Sequence, residues 1–452
     1  MSDLVELNEV DLSAARKMRW SLLLLFGLFG VFATAWGGRA PSVREALNLS
    51  VGTLGTVIVV GALGSLISVS LSGVLVPRLG SRNSLIVGMV GSWLGLTTMS
   101  ISLLTGIVPL FVLGILINGL SNPFTNVTSN LEGAHVEKLL NRPVLPQLHA
   151  AFPIGAAVGS GLAALSARTG INVGIHLIIL ATVATIGRAV LIGSATKLSA
   201  PPVKTAGAIK LPFGIGGKKN DAALTPDAPA TVSAWREPRT VMLGVLLVAG
   251  AMSEGSAGNW LNLTVVESFN SPEEFGALAY ATFVISMLTV RLLGAGLLER
   301  YGRIKVLYAS GALAFIGLAV FTMSPVLPVA WIGIVLWGLG AAMVWPTVMG
   351  AAADDPARAA ARVSVASSFS SVAMLVAPPL LGMLGDTWGL RYALMLILIP
   401  MVVAMFVTKA ARPITGPTEI LHTGAIPVVP LLTVDDVDAE SSEIEEFELA
   451  VA

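Results

Sequence analysis

The sequence predicts an all-α membrane protein of twelve transmembrane helices, arranged as two pseudo-symmetric six-helix bundles with both termini in the cytoplasm. Three observations lead there. Charge is scarce, charge-free runs long enough to cross a bilayer recur along the chain, and matching punctuation returns at an offset of about 223 residues.

Of 452 residues, 54% are hydrophobic and only 12% charged, against about 25% charged in soluble domains. A water-facing fold of this length needs more polar surface, so hydrocarbon is the solvent that suits it. The formal net charge is zero, which leaves no basic field to attract nucleic acid. There is no cysteine, so a disulfide framework and Cys-ligated metal are excluded. Four scattered histidines do not suggest a metal centre, and no metal or cofactor is expected. Residues 1–19, ending at Arg19, are mostly polar with four acids. They read as a cytoplasmic segment, not as a secretory signal.

A span needs about 20 apolar residues. The first lies at 20–38 and the second within 46–77. Asn83 to Leu131 is a charge-free run of 49 residues; Thr105-Gly106 and Pro109 break it into two helices with a short turn. Spans at 143–167 and 169–193 follow, the latter interrupted only by Arg188, and complete an N-terminal bundle at 20–193. Residues 194–239, with Pro, Gly, Lys and Asp, read as a polar cytoplasmic linker. Six more spans, near 240–264, 276–298, 304–324, 327–350, 363–385 and 391–411, form a C-terminal bundle at 240–411. Within it Val306 to Ala353 is a charge-free run of 48 residues, broken at Ser324-Pro325 and Pro328. Residues 412–452 hold nine acids after Arg412 and read as a disordered cytoplasmic tail.

The positive-inside bias sets the orientation. With a cytoplasmic N-terminus and twelve alternating spans, inner segments collect 21 of the 27 Lys and Arg. Outer loops collect four, namely Arg39, Arg44, Arg168 and Arg391, while Arg188 and Arg291 fall within spans. A missed helix would scramble this asymmetry downstream of the error.

The two halves share their punctuation. Trp36 and Trp260 are 224 residues apart, Gly80 and Gly302 are 222 apart, and Pro123 and Pro346 are 223 apart. The two long charge-free runs also begin 223 residues apart. Six spans separate the copies, so both halves keep one orientation, which is a parallel repeat.

The loop Gly73-Val74-Leu75-Val76-Pro77-Arg78-Leu79-Gly80-Ser81-Arg82 resembles the signature G-x-L-x-D-R-x-G-R-R between helices two and three of the major facilitator superfamily. Leu298-Glu299-Arg300-Tyr301-Gly302-Arg303-Ile304-Lys305 resembles its second-half copy. The resemblance implies a cytoplasmic gate in which loop charges latch onto neighbouring helix ends. Glu299, Arg300, Gly302 and Arg303 match that role in the second copy. In the first, Pro77 stands in place of the acid, so Gly73, Arg78, Gly80 and Arg82 carry over without it. Ala35-Trp36 with Arg39-Ala40-Pro41 resembles the first-helix exit of MosC-like and YbjJ-like permeases. Leu148-His149-Ala150-Ala151-Phe152 resembles both that subgroup and the fucose-permease group. Glu254-Gly255 and Asn259-Trp260 resemble the subgroup's E-G-x-x-x-D-W, with Asn259 where an acid is expected. The resemblance implies fold and class, not a particular chemistry.

An ionisable group at membrane depth is a candidate functional site. Glu254, about fourteen residues into the seventh span, reads as the only acid deep in any span. It is either a proton-coupling carboxyl, an ion-pair partner of Arg291, or a packing hydrogen bond. The fourth span carries Asn118, Asn122, Thr125 and Asn126. Amides every four residues share one face, which must meet protein or a wet cavity. Helices one, four, seven and ten line the cavity in the resembled family, and Trp36, Trp260, Trp337 and Trp345 lie on these spans. Indoles beside amides suit an uncharged polar ligand, although tryptophans also anchor helices at the interface. The candidate cavity set is therefore these four tryptophans with Asn118, Asn122, Thr125, Asn126, Glu254 and Asn259, and Glu254 with Arg291 is the candidate coupling pair. Gly155 and Gly159 read as close-packing positions, and His149 as either a gating group or a helix-start residue.

The sequence thus predicts a monomeric secondary transporter in the cell membrane that moves a small polar organic solute, sugar-like in chemistry, by alternating access with protons as the coupling ion. Its partners are that solute, the bilayer and protons. No G-x-x-x-x-G-K-[ST] loop argues for ATP, and no H-E-x-x-H motif or nucleophile–base constellation argues for an enzyme. Efflux of drugs or metabolites, and a non-transporting sensor or scaffold docking through its linker and acidic tail, are the rival readings.

Overall fold

In the computed structural model residues 2–199, 201, 233–355 and 358–414 are described, with side chains from residue 12 onward. Most of the predicted linker and acidic tail lies outside the described residues. Met1–Arg412 form one unit, and of a second, Pro413–Ala452, only the first two residues are described.

Helices dominate and no strand occurs among the described residues. In chain order they are α1 (Ser2–Thr34), α2 (Ala40–Leu47), α3 (Val51–Thr105), α4 (Val108–Leu140), α5 (Leu145–Arg168) and α6 (Val173–Ala195). The second half holds α7 (Pro238–Phe269), α8 (Glu273–Met323), α9 (Leu327–Ala341), α10 (Val344–Ala352), α11 (Ala359–Trp388), α12 (Leu390–Leu394) and α13 (Leu398–Val407). Ten stretches are long and apolar enough to cross a membrane among the described residues. Two of them, α3 with 55 residues and α8 with 51, would each run about 80 Å at 1.5 Å per residue, far beyond a hydrocarbon core of about 30 Å.

Each of these long helices is broken by a glycine at a matching place. Gly80 has φ 75° and ψ 160°, and Gly302 has φ 75° and ψ 159°. That region of backbone space is essentially open to glycine alone, so a repeat marker seen in the sequence is also a shared backbone break. Other predicted breaks fall where proline and glycine placed them. Helix α3 ends on Gly106 with φ 75°, α4 opens with Pro109 in its first turn, and α8 stops before Pro325.

Three boundaries differ from the sequence reading. Residues 2–19, expected as a separate polar segment, continue as one helix into α1, since no proline or glycine interrupts them. The first span ends early at Thr34, and the short helix α2 fills the predicted outer loop, ending on Asn48 in the left-handed conformation. The tenth span splits into α9 and α10. Pro346 causes this split: it has no N–H to offer the carbonyl four residues earlier, at Ala342.

Helix α1 packs on α5 and α6, α3 on α4 and α6, and α7 on α8 and α11. A Cβ on Gly155 would collide with the Gly27 carbonyl oxygen, and one on Gly159 with Thr34, so these glycines let α5 approach α1 as small residues do in membranes. Contacts between the halves run through α5 with α8 and α3 with α11.

Candidate functional site

Besides an apolar cavity of about 400 Å³ lined by Trp235, Phe369 and Val376 among others, two cavities have polar side chains in their walls. The larger, about 330 Å³, is walled by both halves: Thr34 and Gly37 of the first, and Glu254, Asn259, Tyr280 and Trp345 of the second. Its volume sits at the low end of the roughly 300–1,000 Å³ typical of small-molecule sites. The smaller, about 130 Å³, lies within the first half and is lined by Phe32, Trp36, Ser65, Asn118 and Asn122 among others.

Glu254 Oε2 accepts a hydrogen bond from Arg291 Nη2 at 2.9 Å, and both side chains stay about one-third exposed, Glu254 as part of the cavity wall. A single arginine here serves two acceptors. Its Nε donates to the Ala342 carbonyl at 3.3 Å, the acceptor that Pro346 leaves without an intrahelical partner. The equivalent proline of the first half, Pro123, frees the Gly119 carbonyl, which takes the Ser65 hydroxyl at 3.1 Å. The two halves therefore satisfy homologous helix breaks differently, one with a neutral hydroxyl and one with a charge.

Polar bonds close one end of the larger cavity. Asn262 Nδ2 donates to the carbonyls of Gly37 at 3.0 Å and Gly38 at 2.6 Å. Glu273 forms an ion pair with Arg39, 3.0 Å from its Nε, and accepts both the backbone N–H (3.1 Å) and hydroxyl (2.5 Å) of Ser42. Arg44 pairs with Glu267. Asp386 accepts the backbone N–H groups of Val51 at 2.8 Å and Gly52 at 2.9 Å, capping the α3 N-terminus, where unpaired donors and the helix dipole favour an anion. Among the described residues, every hydrogen bond and ion pair joining the halves lies at this end, which the charge bias predicts to be the outer one.

At the opposite end the bonds stay within each half. Arg303 Nη1 and Arg239 Nη2 clasp the two oxygens of Asp354 at 2.5 and 2.8 Å. Glu237 receives Arg362 at 2.7 Å and Arg358 at 2.5 Å. Burial pushes the Glu237 carboxyl up, but hydrogen bonds from Arg362 and Thr240 and the charges of Arg362 and Arg358 outweigh it, leaving it below its ordinary value. Of the predicted gate residues, Arg303 is thus latched, but onto Asp354. Glu299 forms no ion pair among the described residues, and Arg300 lies over the Tyr301 ring at 5.4 Å. Arg78 and Arg82 form no ion pair among the described residues either, as the missing acid at Pro77 suggests. Gly73 is an ordinary helical residue, with open space where a Cβ would stand.

The predicted cavity residues divide into groups. Glu254, Asn259 and Trp345 line the larger cavity; Trp36, Asn118 and Asn122 line the smaller. Trp260 and Trp337 do not line either cavity and are fully buried. Trp337 Nε1 donates to Ser253 at 2.7 Å, and its ring packs edge-on to Phe283 at 5.2 Å, so this indole works as core. Thr125 lines neither cavity and accepts from Arg188 Nη2 at 2.5 Å. Asn126 accepts from Asn130 Nδ2 at 2.6 Å through its side-chain oxygen, at an exposed position outside both cavities. Glu132, just past the charge-free run and outside the predicted span, is also buried, 3% exposed in α4. Sequence reasoning also missed Asn262, Tyr280, Glu273, Asp354 and Asp386. Asp354 alone left a signal, as the acid that ends the second charge-free run.

The profile of the Major Facilitator Superfamily matches residues 148–364 and 243–434, together more than half of the chain. The transporter y4wD of Sinorhizobium fredii is 25% identical over 370 residues, 81% of this chain and 90% of that protein. Membrane protein MosC of Rhizobium meliloti is 23% identical over 379 residues, 82% of this chain and 85% of its own, in keeping with the resemblance carried by the first and seventh spans. Among solved structures, the nucleoside transporter NupG superposes with a TM-score of 0.64 at 16% identity, covering 88% of this chain and 98% of that one. The D-xylose-proton symporter gives 0.65 at 16% identity over 87% and 96%. The fucose:proton symporter FucP of E. coli gives 0.54 at 15% over 86% and 98%. Structural likeness at such identity speaks to the fold alone, whereas the family profile speaks to membership. The chain belongs to the Major Facilitator Superfamily: it is a multi-pass membrane transporter, in a bacterium one of the plasma membrane, and not an enzyme.

Proposed function

We propose that this transporter moves a small polar organic solute by alternating access between its halves and couples that movement to protons at Glu254. In this reading the chain crosses the bilayer twelve times, with α3 and α8 each contributing two crossings on either side of Gly80 and Gly302. Both termini are cytoplasmic, the halves span 20–193 and 240–411, and the described state is closed to the outside.

One observation supports the reading above the others. The Glu254–Arg291 pair, 2.9 Å apart, faces a cavity walled by both halves, and the bonds between those halves gather at one end of it. The two side chains attract each other as an ion pair. A proton arriving at Glu254 removes that attraction and frees Arg291 Nη2, while Ala342 still holds its Nε. Asn259, Tyr280 and Trp345 offer amide, hydroxyl and indole surfaces to a polar solute. The solved relatives NupG, FucP and the D-xylose-proton symporter carry the names of polar solutes, and two of them name a proton.

The test starts with a thermal-shift screen of purified protein against polar metabolites, since a selective ligand stabilises the folded form. Uptake of the hit into proteoliposomes is then measured with an imposed pH gradient. Glu254→Gln should abolish the gradient-driven component and retain ligand binding. Uptake by this variant that follows the gradient as in wild type overturns proton coupling at Glu254.

A further inference from the structure

Arg188 is a membrane-depth charge without a countercharge. It lies in α6 and is 1% exposed. Nη2 donates to Thr125 Oγ1 at 2.5 Å, and Nη1 is buried with no hydrogen-bond partner. Its guanidinium carbon stands 5.1 Å from the centre of the Phe32 ring, and no ion pair involves it among the described residues. Arginine stays protonated in proteins, and a buried charge needs a partner of opposite sign or a full set of hydrogen bonds. The contrast with Arg291, which has Glu254, is direct.

The location of this charge gives it a use. Phe32 is both the ring beneath the guanidinium and a wall of the smaller cavity, together with Trp36, Asn118 and Asn122. Thr125 lies three residues beyond Asn122 on α4, so the guanidinium sits about one helical turn further along the same wall. One ring separates the cavity from an unsatisfied N–H of a cation. Asn118 Oδ1 is likewise buried without a partner. Glu132, a buried ionisable group of α4, lies seven residues past Thr125, about 10 Å along the axis, and makes no ion pair with Arg188.

We propose that Arg188 is the anion-recognising residue of this transporter, and that its substrate carries a carboxylate. The carboxylate enters the amide-lined cavity, Phe32 turns aside, and the free Nη1 with the already fixed Nη2 presents the planar fork that matches two carboxylate oxygens. Asn118 and Asn122 hold the substrate's hydroxyl or amide groups. This deepens the function proposed above and rests on it for the word substrate, but the binding claim stands separately.

The experiment is a binding screen with matched probes: small polyhydroxy and hydroxy carboxylates, each beside its neutral amide or aldose twin, read by thermal shift and titration on purified full-length protein. Carboxylates should bind and their twins should bind at least tenfold more weakly. Arg188→Gln should remove this preference and Arg188→Lys should keep part of it. Phe32→Ala unmasks the guanidinium without touching it and should tighten carboxylates about threefold while leaving neutral twins unchanged, which keeps the test open if Arg188→Gln does not fold. A panel in which neutral twins bind as well as carboxylates, or in which no carboxylate binds, overturns the inference. Arg188-dependent binding without any flux would instead count against the transport reading, and gradient-driven uptake of a neutral solute would keep transport and discard the anion.

Discussion

Gly80 and Gly302, 222 residues apart, hold the same backbone conformation within a degree, with φ 75° in both and ψ of 160° and 159°. Gly302 would meet no atom within 4 Å if it gained a Cβ, so glycine is required there by conformation and not by space. Each break interrupts a long apolar helix at the same point of its repeat. Gly80→Ala and Gly302→Ala should each lower stability by about 1–3 kcal/mol, read as a lower Tm in detergent. Gly73→Ala in the same signature loop is the control. Its site is helical and open, so removing helix-interior glycine should be neutral or stabilising by about 0.5–1 kcal/mol. An equal loss at all three positions would show that the signature glycines are needed for some other reason.

The closed end of the cavity predicts a shift in state when its acceptors are removed. Asp386 and Glu273 together take five of the bonds that join the halves. Hydrogen bonds to charged groups are worth about 1.5–3 kcal/mol each, so weakening several moves the balance of states by tenfold or more. The chain has no cysteine, which makes it its own background for labelling. In an Asn259→Cys protein in sealed vesicles, an impermeant maleimide added outside should react slowly. Adding Glu273→Gln and Asp386→Asn should speed that reaction about tenfold. Unchanged labelling would mean that these bonds do not hold the end shut.

Pro346 sets up a second prediction about the same cavity. An interior proline costs a helix about 3 kcal/mol or more, and this one releases the Ala342 carbonyl to Arg291. Pro346→Ala returns an N–H to that carbonyl, joins α9 to α10, and leaves Arg291 held by Glu254 alone. The variant should melt at a higher temperature and transport more slowly. A faster transporter, or one with a lower Tm, would contradict the role given to the break.

Much of this arrangement was legible before any coordinates, and the reasons are physical. The run breaks at Gly106, Pro109, Pro325 and Pro328 could be read because glycine and proline act locally on the backbone. Partners could not be read, because Val51 and Asp386 meet across 335 residues and nothing local marks that pairing. The amide stripe of α4 misled at Asn126: eight residues at about 100° each advance about 80° past two full turns, enough to rotate it off the face shared by Asn118 and Asn122. Trp260 and Trp337 misled for another reason. An indole has one polar atom on a large apolar body, so it serves a core that offers a Ser253 hydroxyl as well as it serves a cavity wall.

At the predicted cytoplasmic end, Glu237 ties α7 to α11 through Arg362 and Arg358. Its carboxyl lies below its ordinary value of 4.5 in the folded state. A depressed folded value means that this contribution to stability is present in full above the unfolded value and is lost as pH falls through the folded one. The Tm gap between wild type and Glu237→Gln should therefore be constant from neutral pH down to about pH 5 and close below 4.5. A gap that stays open at low pH would show that the charge of Glu237 is not what joins these helices.

The two charges assigned to the cavities together fix how transport should respond to voltage. Glu254 is already neutralised by Arg291, and Arg188 has no acid partner among the described residues, so a carboxylate bound there completes a neutral set. One proton taken up at Glu254 then travels with one anion, and the moving charge sums to zero. Voltage acts on a moving elementary charge with about 2.3 kcal/mol per 100 mV, which is close to a fiftyfold change in accumulation. In proteoliposomes at a fixed pH gradient, accumulation of the carboxylate should therefore change little when the potential is stepped by about 100 mV. A neutral solute carried with one proton would shift by about fiftyfold under the same step. A large response to voltage would show that the cargo carries no compensating negative charge, and it would do so without reference to any mutant.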